Sequence, residues 1–378
     1  RRRRLQHSST LGWLSLTIGL PGQIVPPWES IARNATRNEA SGAGGIWFPD
    51  HLMGFWPQVL WTPEFTPLAR IQPNPHAHFD AFLAMAAAAA ATTRVKIGCA
   101  VTQPLSRHPA HLAQTFLTLS HASQGRAILG LGAGEGENLE PYGMPTDRPA
   151  AKLAEALEII RLLWQHDEPV NFDGQFWQLR DAVLGLGAAA NQPLPPIWLA
   201  ALGPRLLRLA GQRADGWIPL KMPASDYAAR LALIRQAGGD RVVPATWAFT
   251  VIHEDAARVD ELADHPLIKA VCLMFAAESF QRYGRDHPLG PGRDGFQDYI
   301  PSRLGRDQAL AAIARVPPEV VRDHLLVGTP EHILAELRSL EQAGLRHAVL
   351  WNITFLADVA LAGPSFRLLE ELIALLPS

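Results

Sequence analysis

Short apolar runs alternate with longer helix-like segments along most of the chain, and that rhythm leaves few architectures open. Leu14–Leu20, Gly45–Pro49, Val95–Thr102, Ala127–Leu131, Pro196–Ala200, Gly216–Leu220, Thr246–Ile252 and His347–Ile353 read as strands. Ile268–Phe275 is a further apolar, strand-like run. Trp28–Ala40, His78–Ala91, Ala110–His121, Arg148–His166, Pro204–Ala210, Ala224–Ala237, Thr329–Ala343 and Pro364–Leu376 read as helices. Alternation of this kind builds a parallel sheet. Seven or eight such units without a dinucleotide fingerprint point to a closed α/β barrel, a TIM (β/α)8 barrel with loop insertions. One domain over 1–378 is expected, with insertions near 54–75 and 278–317. Val170–Leu179 reads as a small hairpin turned at Asp173-Gly174.

Charge narrows the partners. The chain carries 34 Lys+Arg against 36 Asp+Glu, which leaves no basic footprint for nucleic acid. Arg1–Arg4 is the one charge run and reads as a solvated tail. Leu11–Leu20 follows it but lacks a small-x-small cleavage pattern, so it reads as the first strand rather than a leader. No apolar run reaches the roughly 18 residues of a membrane span. Cys99 and Cys272 lie in apolar runs and read as buried free thiols of a reducing compartment, the cytoplasm.

In a barrel of this type the chemistry sits where strands end at their C-terminal side. The second strand runs into Asp50-His51, and a histidine there can hold or release a proton near neutral pH; a structural histidine is the competing reading. The fourth runs into Gly130-Leu131-Gly132-Ala133-Gly134-Glu135-Gly136-Glu137-Asn138, where glycines admit close backbone approach. A carboxylate buried in that loop would have a raised pKa and could relay protons. The fifth runs into Leu202-Gly203-Pro204-Arg205, small residues at a helix start, suited to an anionic group or to a tight turn. Phe55, Trp56 and Trp61 follow His51 in a loop with few charges, which suits an apolar substrate site or packing on the barrel. His76, His78, His108 and His111 match no metal-ligand spacing, and no metal site is expected.

Trp47-Phe48-Pro49-Asp50-His51-Leu52-Met53-Gly54-Phe55-Trp56, the Gly132–Asn138 loop and Ala214-Asp215-Gly216-Trp217-Ile218-Pro219 resemble the luciferase-like oxidoreductases, above all the branch using the deazaflavin coenzyme F420. Asn171–Ala182 further resembles the phthiodiolone-type ketoreductases. The resemblance implies a hydride-transferring oxidoreductase. His51 would handle the substrate proton and Glu135 the ring-nitrogen proton. Asp50, Ala133, Gly134 and Asn138 would contact the cofactor, Leu202, Gly203 and Arg205 its phosphate tail. Ala100-Val101 would form a non-prolyl cis peptide behind the deazaflavin ring. Phe55 stands where the sugar-phosphate dehydrogenases of the branch carry a stacking tryptophan, and Lys221 is offset from their phosphate-binding lysines, which favours an apolar substrate. The expectations are therefore coenzyme F420, with FMN as the alternative, a small-molecule, lipid-like substrate and a homodimer. An FMN-dependent monooxygenase and a non-catalytic flavin-binding barrel are the rival readings.

Overall fold

The computed structural model describes residues 15–187 and 193–375. Arg1–Arg4, the Leu14 start of the first strand and the Leu376 end of the last helix lie outside them. The sheet comprises β1 (Thr17–Pro21), β2 (Gly45–Phe48), β3 (Lys96–Cys99), β4 (Ala127–Leu131), β7 (Ile197–Leu199), β8 (Gly216–Trp217), β9 (Val243–Ile252), β10 (Leu326–Gly328) and β11 (His347–Asn352); β5 (Val170–Asp173) and β6 (Gln178–Ala182) form the separate antiparallel hairpin. All sheet pairings are parallel, and β8 pairs with β9, closing eight strands into a TIM barrel. The expected barrel is therefore the observed one. β10 adds to the end of β9 by pairing Leu326 with Thr250.

The interior of the barrel is filled by two indoles. Trp47 and Trp198 lie with ring centroids 4.8 Å apart, and His347 completes the layer. Glycines make the space: a Cβ at Gly98 would stand 2.3 Å from Trp47, and one at Gly216 2.5 Å from Trp198. The Trp47 Nε1–H donates to His347 Nε2 at 2.9 Å. Burial pushes His347 down to about 4, which keeps that nitrogen an acceptor. Trp47, next to Asp50-His51 in sequence, thus belongs to the core and not to the site.

Ile268–Phe275 is not a strand. Pro266–Val271 is a helix, and Cys272–Met274 continues it as a tighter turn. Pro266 occupies the first turn, and His265 Nδ1 caps the Leu267 N–H at 3.2 Å. Most of the segment is buried, so it carried no hydrophobic period to separate helix from strand. β10 was not expected because its three residues directly precede a helix start signal.

Both insertions pack over the C-terminal mouth. The Tyr299 hydroxyl donates to the Phe55 carbonyl at 2.8 Å, and Gln297 Nε2 donates to the Gly134 carbonyl at 2.8 Å. The second insertion thereby braces both the aromatic loop and the glycine loop. Cys99 and Cys272 are buried and free. No helix among the described residues is long and apolar enough to cross a membrane.

Candidate active site

A cavity of about 570 Å³ opens at the C-terminal ends of the strands. Its walls include Asp50, His51, the Ala100–Val101 segment, Gly132–Glu135, Asn138 and Leu202–Gly203. Nearly every expected site position therefore falls on one surface, although they derive from four different strand ends.

Each side chain is held. Asp50 accepts from Thr102 Oγ1 at 2.7 Å and from two Arg107 nitrogens at 3.1 and 3.3 Å, a bidentate pair that fixes its plane. The Ala100–Val101 peptide is cis. Gly134 has φ +99°, a backbone region closed to most side chains, and a Cβ there would stand 2.8 Å from Leu105 and Leu139. The turn at Gly134 aims Glu135 toward His51.

Asn138 ties the two together. The Leu52 N–H donates to Asn138 Oδ1 at 2.8 Å, which orients the amide. Its Nδ2 then points at His51 Nδ1, 2.8 Å away, and at Glu135 Oε2, 3.0 Å away. An amide nitrogen only donates, so His51 Nδ1 accepts and the ring proton resides on Nε2. The His51 side chain is 5% exposed and its ring meets Phe55 edge-on at 4.6 Å. Burial pushes Glu135 up to about 7, helped by the nearby Glu137 and opposed by His51 and the Asn138 hydrogen bond. A carboxyl with that pKa can exchange a proton at neutral pH.

The resemblance gave a role to Glu135 alone, while the residues themselves left Glu135 and Glu137 equal as candidate buried carboxylates of the loop. Glu137 is fully buried, with Oε1 3.4 Å from His51 Nδ1. The Gly-Glu-Gly-Glu-Asn spacing was the available signal, since the short helix Gly136–Leu139 turns Glu137 inward behind His51. His51, Glu135 and Glu137 bring ligand-type atoms within 4.8 Å of one another. The Asn138 amide N–H groups point into that space, which suits proton sharing and would repel a cation.

Three expected positions fall elsewhere. The Trp56 Nε1–H donates to the Leu267 carbonyl at 2.9 Å and the Trp61 Nε1–H to the Gln72 carbonyl at 2.6 Å. Both indoles are buried in the core beside the barrel and do not line the cavity; of the three aromatics only Phe55 does. Backbone carbonyls within reach decided this, because a buried indole N–H needs an acceptor. Arg205 is exposed on the helix Pro204–Arg213, off the cavity wall, whereas Leu202 and Gly203 stand at the mouth.

Lys221 also lines the cavity but offers no free charge. Its ammonium pairs with Glu336 and donates to the Arg322 and Leu325 carbonyls at 2.6 and 3.2 Å. The wall combines apolar Met222, Phe249, Met274, Phe275 and Trp351 with a polar patch near Lys221 that includes His324, Arg230 and the Arg282–Asp226 ion pair.

The mouth of the closed barrel thus holds an acid–base cluster beside a glycine loop and a cis peptide, and the comparisons place such a chain among oxidoreductases. The chain belongs to the luciferase-like monooxygenase family, which it matches over residues 10–347. It is 35% identical over 351 residues to a phthiodiolone/phenolphthiodiolone dimycocerosates ketoreductase of Mycobacterium sp. (strain JLS), covering 89% of this chain and 92% of the relative. Its fold matches an F420-dependent secondary alcohol dehydrogenase in complex with an F420-acetone adduct, with a TM-score of 0.71 and 22% identity over 96% of this chain and 99% of the other. It also matches the oxygenating constituent of 3,6-diketocamphane monooxygenase from Pseudomonas putida in complex with FMN, with a TM-score of 0.63 and 17% identity over 96% and 99%.

Proposed function

We propose that the protein is an F420-dependent ketoreductase that moves a hydride between the deazaflavin and an apolar carbonyl or alcohol. The hydrogen-bonded set His51–Asn138–Glu135 on the cavity wall carries this reading. The chain's own residues suit the cofactor. Gly132 and Ala133 leave the loop after β4 without bulk, and the cis Ala100–Val101 peptide lies against Gly132, where a Cβ would meet Val101 at 2.8 Å. The helix starting at Pro204 has no side-chain cap at Gly203, so its first N–H groups are open to an anionic tail.

When bound, the reduced deazaflavin supplies the hydride. His51 gives its Nε2 proton to the substrate oxygen. Glu135 takes up or returns the ring-nitrogen proton, for which a pKa near 7 is matched. Asp50, locked by Arg107 and Thr102, presents a fixed acceptor at the cofactor position. Phe55 and the apolar part of the wall, with Phe249, Met274, Phe275 and Trp351, exclude water and receive the substrate.

The substrate class follows from what Lys221 lacks. Its charge is already neutralised by Glu336, so Lys221 would not serve as the cation for a sugar phosphate. An apolar, lipid-like ketone fits the wall, as does the ketoreductase name of the Mycobacterium relative. A cytoplasmic homodimer belongs to the same reading, and light scattering of the purified protein tests the dimer.

The deciding experiment is fluorescence-quenching titration with F420 and with FMN, followed by turnover of long-chain ketones against glucose 6-phosphate. Micromolar or tighter F420 binding, weaker FMN binding and ketone turnover are expected. Stronger FMN binding with oxygen consumption would instead support the monooxygenase reading, which the FMN-bound neighbour favours. Glucose 6-phosphate oxidation without ketone turnover would overturn the apolar substrate.

A further inference from the structure

We propose that Glu137 and His51 hold one transferable proton in common, with Glu137 the buried donor that refills His51 Nδ1 as Nε2 releases its proton to substrate. This rests on the ketoreductase reading for its place in the reaction, but not for the existence of the pair.

Three observations carry it. Glu137 is fully buried and has no hydrogen-bond partner for either oxygen among the described residues. An ionised carboxylate so placed would be heavily penalised, so the group stands as the neutral acid and owns a proton to give. Its Oε1 lies 3.4 Å from His51 Nδ1, the nitrogen that accepts the Asn138 N–H in the resting state; Glu135 Oε2 stands 3.5 Å from the same nitrogen but lines the cavity, whereas Glu137 does not. That gap closes to hydrogen-bond length with a sub-ångström shift, as contacts of this kind do when substrate is loaded. Finally, Glu137 lies behind the cavity wall and not on it, so it acts through His51 and is a positioning residue for the proton.

The problem it solves is one of charge. A neutral imidazole that gave up its Nε2 proton alone would become an imidazolate. As the substrate O–H bond forms and the His51 Nε2–H bond breaks, the Asn138 N–H gives up Nδ1 while its amide stays bonded to Glu135, and Nδ1 takes the proton from the breaking Glu137 O–H bond. His51 ends neutral with its proton on Nδ1, and Glu137 ends as the carboxylate beside it. A proton from solvent then enters at Nε2, and the Nδ1 proton returns to Glu137. The sums of charge and protons balance, and the carbonyl carbon receives its hydride in the same turnover.

Other charged or titratable groups face the pair. Asp50 and Glu135 come from the two strand-end loops and His78 from the segment beneath His51. Tyr142 and Tyr299 approach Glu137 from the following turn and from the second insertion. The titration therefore belongs to the cluster, and the pair is identified by what changes when one member is replaced.

The test uses the full chain without cofactor. Histidine ring nitrogens are labelled with 15N, and the His51 signals are assigned with His51→Gln. In the native protein, His51 should show Nε2–H at neutral pH and an alkaline inflection as the shared proton leaves and the ring proton moves toward Nδ1. Glu137→Gln should abolish that inflection while keeping the fold, and Glu137→Asp should restore it. An alkaline inflection unchanged in Glu137→Gln, or absent from the native protein, overturns the proposal. With cofactor and ketone, Glu137→Gln should lower kcat roughly 10–100-fold and flatten the alkaline limb of the pH profile, with cofactor affinity unchanged. An intact inflection series in a protein that reduces no ketone would support the pair and sink the ketoreductase reading instead.

Discussion

Replacing Glu135 with Gln should stabilise the protein at alkaline pH and leave it little changed in acid. In the folded chain this carboxyl is raised from 4.5 to about 7, chiefly by burial. The folded state therefore keeps a proton that the unfolded state loses. Stability from this group is fully present below pH 4.5, declines as pH rises through the window from 4.5 to about 7, and is lost above it. The shift corresponds to about 3 kcal/mol at roughly 1.4 kcal/mol per pH unit of pKa. At pH 5.5 roughly 1.4 kcal/mol of that loss has already occurred, so about 2 kcal/mol remains between pH 5.5 and 8.5. For 378 residues the unfolding entropy is about 0.8 kcal/mol per degree, so the remainder equals roughly 2–3 °C in Tm. A glutamine has the same shape, can still accept from Asn138 Nδ2, and carries no proton linkage. Thermal melts of both proteins at pH 5.5 and 8.5 read the effect as the change in their Tm difference. The Gln variant should gain about 2–3 °C on the native protein between those pH values. A constant difference, or a gain in acid, would show that Glu135 is not held protonated by burial.

Two further outcomes separate catalysis from packing. His51→Ala should lower kcat by roughly 10²–10⁴ while cofactor affinity, read by fluorescence quenching, stays within a few-fold; near-native turnover would remove His51 from the reaction. Trp56→Ala should cost about 3–5 kcal/mol of stability through cavity formation, whereas Phe55→Ala should change KM for apolar ketones with a smaller loss in Tm; the reverse pattern would return Trp56 to the substrate wall.

The barrel was legible because its signal is repeated: each short apolar run paired with a helix reinforced the next. The strand ends were legible for the same reason, since a closed parallel barrel brings its C-terminal loops to one face. That geometry alone gathers Asp50, His51, Val101, Gly134 and Gly203 around one cavity from positions over 150 residues apart. Segments without a period were not legible. Pro266–Val271 is buried on most sides, and the capping by His265 that makes it a helix depends on a side-chain rotamer. The aromatic loop failed differently. Trp56 and Trp61 were placed by whichever backbone carbonyl lay within reach of each indole N–H, and Leu267 is 211 residues away from its partner.

Glu137 shows where sequence and structure divide the information. The loop spells Gly-Glu-Gly-Glu-Asn, and nothing in that string ranks one carboxylate above the other. Backbone geometry does. Gly134 turns with φ +99° and sends Glu135 to the cavity wall, where it is a quarter exposed and its pKa is brought near neutrality. Two residues on, within the helical turn Gly136–Leu139, Glu137 is fully out of solvent, and both carboxyls approach the same His51 Nδ1, at 3.5 Å for Glu135 and 3.4 Å for Glu137. Gly136 must be glycine for that turn to fit, because a Cβ there would stand 2.5 Å from the Gln297 carbonyl. The second insertion thus packs against the loop, in which Glu135 lines the cavity and Glu137 does not. Burial raises the proton affinity of both glutamates, alike in sequence, and a loop some 160 residues downstream braces the turn that carries them.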